Sequence, residues 1–323
     1  MKSSIEDIVK SRYSCRTYAE RPIEAVDKGA LSEFLASLQT GPLGSRARFS
    51  LIAATEKDRE SLKGLGTYGM IRGATGFIVG AVERGAKDME DYGYLLEHAV
   101  LAATDLGLAT CWLGGSFSKS AFARKIAAGR REIVPAVLAT GYARVDAKAT
   151  DRVRQRAGSD RRLPAAQLFY DDEFGQPVAL SSGSPYAQVL EAVRWAPSAS
   201  NKQPWRVVRS RGVWHFYLQR TKGYGKGTAV FSLLRLADLQ RVDMGIAMCH
   251  FELVAREQGG TGRWVVEQPA TDALAEGAEY TATWIPEVEH EGLAVEWNAA
   301  NLGIVRESGN QPKSEVASCP VER

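Results

Sequence analysis

Apolar positions gather into two long stretches, each periodic in the manner of a helix with one face or both faces buried, and each running into a glycine, the usual helix stop. The first is YLLEHAVLAATDLGLATCW, residues 94–112, and the second is IAMCHFELVAREQGGTGRW, residues 246–264. The two resemble each other. His98 matches His250, Gly107 matches Gly259 and Trp112 matches Trp264, all at an offset of 152 (250 − 98, 259 − 107, 264 − 112). Upstream, the helix-like LSEFLASLQTGPLGSRARFSLIAA from Leu31 lies against YAQVLEAVRWAPSASNKQPWRVVRS from Tyr186, with Pro42 opposite Pro197 at an offset of 155 (197 − 42). A small indel between the blocks reconciles the offsets. The chain therefore reads as two diverged copies of one unit, residues 1–145 and 185–290, and two copies imply internal pseudo-twofold symmetry.

Each copy follows the order helix, Pro-marked loop, β-rich run, long helix ending in Gly, strands. The β-rich runs are FSLIAA from Phe49, GFIVGAV from Gly76, PAVLATGY from Pro135, WRVVRS from Trp205 and VWHFYL from Val213, the last dense in β-branched and aromatic residues. The class is α+β, with helices flanking mostly antiparallel central sheets. Residues 146–184 read as a connecting segment, with the turn-rich DDEFGQP from Asp171, and residues 291–323 as a polar tail.

Composition changes this picture little. The chain has 323 residues, enough for one large domain or two ordinary ones, and its 45% hydrophobic and 24% charged residues place it among globular proteins rather than disordered ones. A net charge of +3 is too small to imply a nucleic-acid partner. Charge is concentrated locally: Arg144, Lys148, Arg152, Arg154, Arg156, Arg161 and Arg162 serve either one anionic group or a solvated connection, and the solvated reading is preferred for all but Arg161 and Arg162. Cys15, Cys111, Cys249 and Cys319 are too scattered for a zinc site or a disulfide framework. With no apolar leader or membrane-length stretch, a cytoplasmic protein is expected.

Three short segments carry candidate chemistry. In SRYSCRTYAERPI from Ser11, Arg12, Ser14 and Arg16 alternate, so an extended backbone projects two guanidinium groups and a hydroxyl to one side, as a phosphate requires. The same triplet also describes an ordinary basic edge strand. In EAVRWAPSASNKQPWRVV from Glu191, a helix ended by Pro197 runs into Ser198, Ser200 and Asn201, whose side chains and free amides can bond the edge of a flat heterocycle. A plain helix-to-strand loop has the same composition. In GLATCWLGG from Gly107, a helix stop precedes an aromatic and two glycines, which let a backbone approach a planar ligand or simply make a tight turn. His98 and His250, at equivalent helix positions, read as core histidines, and no metal spacing exists. Tyr68, Tyr92, Tyr94 and Tyr224 line a pocket or pack a core.

Together the three segments resemble the FMN-dependent nitroreductase family, whose subunits open with R-x-S-x-R and carry a P-S-x-x-N-x-Q-P-W loop and a G-x-x-T-C-W-x-G segment. The matches are Arg12-Tyr13-Ser14-Cys15-Arg16, the stretch from Pro197 through Gln203 to Trp205, and Gly107 to Gly115. The resemblance spans about residues 5–285. In that family FMN lies at a homodimer interface, with the phosphate on R-x-S-x-R of one subunit and P-S-x-x-N of the other reaching the flavin. Here the first copy has Gly41-Pro42-Leu43-Gly44-Ser45 where P-S-x-x-N belongs, and the second copy lacks the arginine pair. A fused pseudo-dimer with one surviving interface site accounts for both losses, and the resemblance then implies one FMN per chain in a protein that works as a monomer.

Carried over, Arg12, Tyr13, Ser14 and Arg16 would hold phosphate and ribityl, and Pro197, Ser198, Ser200, Asn201 and Gln203 the flavin side. Leu113, Gly114 and Gly115 would supply N–H groups near flavin N5. SDRRLPAAQLFYDD resembles the family's closing basic pair, which adds Arg161 and Arg162 as phosphate ligands. The implied activity is electron transfer from NADH or NADPH through FMN to a nitroaromatic, quinone or similar small acceptor, with no acid or base side chain required. The alternative is a flavin-sequestering protein of the same fold without turnover. No nucleic-acid, metal or membrane partner is expected.

Overall fold

Two strand sets wound in the same order flank a pair of long helices. The structure, a computed structural model, describes residues 2–54, 62, 64–180, 183–225, 228, 231, 236–269 and 277–287; the polar tail with Cys319 lies outside them. The chain enters through α1 (Ile5–Ser11), capped by Ser4, whose hydroxyl accepts from Asp7 N at 3.1 Å, and α2 (Ala25–Ser37). The first sheet contains β1 (Ala47–Ala53), β2 (Gly76–Glu83), β3 (Ala109–Leu113), β4 (Glu132–Ile133) and β5 (Val137–Gly141), in the order β1-β2-β5-β3 with β4 beside β2, all antiparallel. Between β2 and β3 runs α3 (Asp88–Asp105), and after β3 comes α4 (Lys119–Lys125).

Strand β2 is apolar up to its last residue, the exposed Glu83, because both faces are covered. Its Ile78 and Val82 join the main core, whereas Phe77, Val79 and Ala81 point to a second cluster with Phe117 and Phe122. The second sheet repeats the winding with β7 (Trp205–Ser210), β8 (Val213–Gln219), β9 (Thr261–Val265) and β10 (Ala278–Glu287), ordered β7-β8-β10-β9. Here α7 (Pro185–Trp195) precedes β7, and α8 (Leu239–Glu257) connects β8 to β9.

Both long helices begin earlier than the apolar pattern marks, at Asp88 and Leu239, because their first turns carry charged or polar residues. Both end just before Gly107 and Gly259, whose φ values of 78° and 82° turn the chain into the edge strands β3 and β9. The two helices cross at Gly93 and Gly245, which share the offset of 152 (245 − 93). A Cβ on Gly93 would meet the carbonyl of Val242, and one on Gly245 the carbonyl of Glu90 while coming within 2.7 Å of Tyr94 N. Hydrogen in place of a side chain thus lets the backbones touch. Arg241 ties the same crossing, donating through Nε and Nη2 to the Glu90 carboxylate at 2.9 and 2.6 Å.

The segment read as a plain connection has structure of its own. It forms α5 (Ala147–Thr150), α6 (Arg152–Ala157) and β6 (Phe169–Asp171), and β6 pairs parallel with β7, so residues following the first sheet complete the second. Three residues of strand carry no periodicity long enough to read from sequence.

His215 on β8 gives the second sheet an acid sensitivity. Its ring is buried, with Nδ1 2.7 Å from Thr283 Oγ1, and burial lowers its pKa from the ordinary 6.5 to about 4. The unfolded chain binds this proton below pH 6.5 and the folded chain only near pH 4, so stability is complete above that window and lost as pH falls through it. Burial of His98 acts in the same sense. Urea unfolding should show His215 contributing a loss of about 1–2 kcal/mol between roughly pH 7 and pH 5, which His215→Gln removes; an unchanged pH dependence in that variant would contradict the assignment.

Candidate functional site

Residues 12–18 run beside the start of β3. Ser14 pairs in parallel with Thr110, and Cys15 N donates to Thr110 O at 2.9 Å. This extended course buries Cys15 completely and turns Arg12, Ser14 and Arg16 to the other side, where all three line one pocket of about 190 Å³. The opposite wall is the loop that follows α7, with Pro197, Ser198, Ser200 and Asn201. The site therefore joins the first strand set to the second.

The loop is held in an unusual backbone. Ser200, Asn201 and Gln203 have φ of 51°, 54° and 49°, a left-handed region that costs non-glycine residues free energy unless contacts enforce it. Ser198 Oγ accepts from Gln203 N at 2.9 Å, and Asp243 Oδ1 accepts from Ala199 N at 2.9 Å. From the connecting segment, Gly158 O and Arg161 O accept from Asn201 Nδ2 at 2.8 and 3.0 Å, and Leu163 N donates to Gln203 Oε1 at 2.9 Å. Sequence read Gln203 as a ligand residue; its buried amide instead fastens the connection to the loop and does not face the pocket.

Two cations in the pocket are incompletely partnered. Arg162 donates to Ser159 O at 2.7 Å and Asn201 Oδ1 at 3.1 Å and stacks on Trp195 at 5.1 Å, yet its Nε is buried without a hydrogen-bond partner. Arg12 Nε is equally buried and unpartnered. Burial, with the neighbouring Arg12 charge, lowers the Arg162 pKa to about 10, and burial lowers that of Arg12 as well. Arg16 differs in having a carboxylate, with Nη1 2.8 Å from Asp151 Oδ2.

Further cations come from the basic run taken as solvated. Lys148 and Arg154 line the pocket, as does Lys10, and Arg154 is 7% exposed, paired with Asp160. Arg161, expected as a ligand, has an exposed side chain outside the pocket and contributes only its carbonyl. Tyr13 also stands outside it, its ring under Lys148 at 5.6 Å and Arg154 at 5.7 Å. Helix α6 decides which arginines turn inward, and a run of charges gives no sign of that face.

A second, less polar pocket of about 120 Å³ continues from the first, sharing Ser14, Arg16, Pro197, Ser198 and Ser200. Trp112, Gly114, Leu239, Ile246 and Asp243 complete it. A Cβ on Gly114 would strike the Leu239 side chain, so glycine is required for this close approach. Leu113 is buried in the second core cluster and Gly115 lines neither pocket, so of that trio only Gly114 reaches the site. Trp112 is fixed from behind: its Nε1 donates to Glu97 Oε2 at 2.8 Å, and Glu97 Oε1 lies 3.0 Å from His250 Nε2. His250 is fully buried, its Nδ1 3.0 Å from Ala192 O, whereas His98 is half-buried and packs on Tyr94; neither lines the site. Of the tyrosines, Tyr92 and Tyr94 are buried, Tyr68 is 73% exposed and Tyr224 reaches the site edge, its hydroxyl 3.2 Å from Ser200 Oγ.

A family model described as "Putative TM nitroreductase" matches residues 4–255. The chain belongs to this nitroreductase family. In overall structure this nitroreductase-family chain is similar to a "putative nitroreductase" from Thermotoga maritima, with a TM-score of 0.53 and 20% identity over 88% of this chain and 94% of that one. A nitroreductase with bound FMN from Bacteroides fragilis matches 44% of this chain and 90% of its own at 21% identity and a TM-score of 0.35. A Desulfovibrio desulfuricans structure described as a "putative nitroreductase in complex with FMN" matches 47% and 93% at 21% identity and a TM-score of 0.36. No curated protein matches the chain. Among the described residues no helix is long and apolar enough to cross a membrane, and no group of His, Cys, Asp or Glu could hold a metal ion.

Proposed function

We propose that this nitroreductase-family chain is an FMN-dependent oxidoreductase and an internal pseudo-dimer, with one flavin held in the joined pockets between its halves. The observation that carries the reading is the pair of buried, unpartnered Nε atoms on Arg12 and Arg162, facing each other's charge in one basic pocket. Half-buried cations with no direct ion pair of their own are costly to hold together, and a phosphate relieves both. Ser14 adds a hydroxyl there, and the less polar continuation suits a flat heterocycle. The residues present therefore fit FMN.

When bound, FMN supplies hydride acceptance from NADH or NADPH and electron delivery to a nitroaromatic, quinone or similar small acceptor. The protein's part is positional. Arg12, Arg16 and Arg162 neutralise the phosphate, the 198–201 loop orients the flavin, Gly114 admits close approach, and Trp112, Leu239 and Ile246 exclude water. One site per chain is supported by the first half, where the corresponding loop from Gly41 to Ser45 is closed onto Asp91.

Titrating purified monomer with FMN should saturate at one equivalent per chain, and NADH or NADPH should bleach the bound flavin in a stopped-flow trace. Two equivalents, or binding that needs a second chain, would overturn the one-site reading. Flavin that binds but stays oxidised under both nucleotides would turn the conclusion to sequestration without turnover.

A further inference from the structure

Asp243 is 2% exposed on α8 and lines the less polar pocket with Trp112, Leu239, Val242 and Ile246. Its two oxygens have different fates. Oδ1 accepts from Ala199 N at 2.9 Å and so secures the left-handed loop, whereas Oδ2 is buried at the pocket wall with no hydrogen-bond partner. A buried carboxyl oxygen with no hydrogen bond is costly, and a ligand group at this wall would remove that cost.

The other half of the chain supplies the comparison. Asp91 occupies the same place on α3, at the offset of 152 (243 − 91), and is fully buried. There both oxygens are used: Leu43 N donates to Oδ1 at 2.8 Å and Ser45 N to Oδ2 at 2.7 Å. The loop lies so close that a Cβ on Gly41 would overlap the Asp91 carboxyl. One aspartate has its loop closed down upon both oxygens; the other lines a cavity and keeps one buried oxygen without a partner.

We propose that Asp243 is a ligand-binding residue of this chain, hydrogen-bonding through Oδ2 to the phosphate-free part of the bound flavin while Oδ1 holds the loop. The inference rests on the flavin reading above. The phosphate-free part is singled out because Asp243 lines the less polar pocket and is absent from the basic one. Burial also raises the Asp243 carboxyl well above the usual carboxylate range, which favours the protonated form and so a donor at the oxygen that Ala199 N does not use. Asparagine keeps an acceptor for Ala199 N and a donor in place of Oδ2–H; leucine keeps neither.

Riboflavin, which lacks the phosphate, is the probe. Calorimetric or fluorescence titration should show Asp243→Asn within about threefold of the unsubstituted protein, and Asp243→Leu weakened about ten- to a hundredfold, for riboflavin and FMN alike. The infrared difference spectrum between riboflavin-bound and free protein should contain a protonated-carboxyl C=O band that Asp243→Asn removes. A loop-holding role alone would leave that band unmoved by riboflavin. Unchanged affinity in Asp243→Leu, or the absence of an Asn-sensitive carboxyl band, overturns the inference while flavin binding stands. If the unsubstituted protein binds neither flavin, the flavin reading falls and the ligand role of Asp243 with it.

Discussion

Arg12→Ala is expected to weaken FMN binding about a hundredfold while leaving riboflavin binding within a few-fold of its original value. A charge-assisted hydrogen bond contributes about 1.5–3 kcal/mol, and each 1.4 kcal/mol is tenfold in affinity. Arg12 stands towards the upper end because its Nε is buried and no protein group competes for it. Arg162→Ala should add to the loss, less than additively, since both guanidiniums would meet the same phosphate. The flavin-free protein should respond in the opposite direction. Two half-buried cations in one pocket repel, burial and the Arg12 charge already depress the Arg162 pKa to about 10, and removing Arg12 relieves Arg162. Flavin-free Arg12→Ala should therefore melt no lower than the unsubstituted protein. Retained FMN affinity in Arg12→Ala would remove the phosphate from this pocket.

Gly245→Ala should destabilise the protein by about 3 kcal/mol or more and lower its melting temperature by about 6–12 °C. The added Cβ would fall on the Glu90 carbonyl and close to Tyr94 N, backbone atoms of α3 that no rotamer change can move aside. The helices would have to separate, breaking the close pairing at Gly93 and straining the Arg241–Glu90 contact. Because Leu239, Val242, Asp243 and Ile246 reach the pocket from α8, flavin affinity should fall as well. Gly29→Ala is the control: it lies exposed in α2 with open space around its Cβ and should stabilise by about 0.5–1 kcal/mol. Denaturant midpoints for both variants decide the matter. If Gly245→Ala cost no more than an ordinary surface substitution, the glycine crossing would not be what holds the helices together.

How far the site could be read in advance differed by residue. The alternation of Arg12, Ser14 and Arg16 was legible because an extended backbone turns every second side chain to one side, whatever lies next to it. Ser198, Ser200 and Asn201 were legible as a polar loop after a helix stop, though three left-handed residues held by distant partners have no local signature. Lys148 and Arg154 were hidden in a run of like charges. Asp243 was hidden in a helix where a polar residue ordinarily faces solvent. Gln203, Arg161, Leu113 and Tyr13 stand in motifs that match a pattern, yet packing gives them other work: fastening, core filling or cation stacking.

The sequence by itself determined the α+β class, the two long helices with their glycine stops, five of the strands and the two segments that face each other across the candidate site. Those features follow from periodicity and from residues whose backbone preferences act over a few positions. Only the tertiary structure decided that β6 crosses to the second sheet, that Gly93 and Gly245 meet, and that one aspartate is sealed by its loop while its counterpart keeps a buried oxygen without a partner. Each of these is a contact between residues far apart in the chain, and which polar atom is left without a partner is settled only once every neighbour has taken its place.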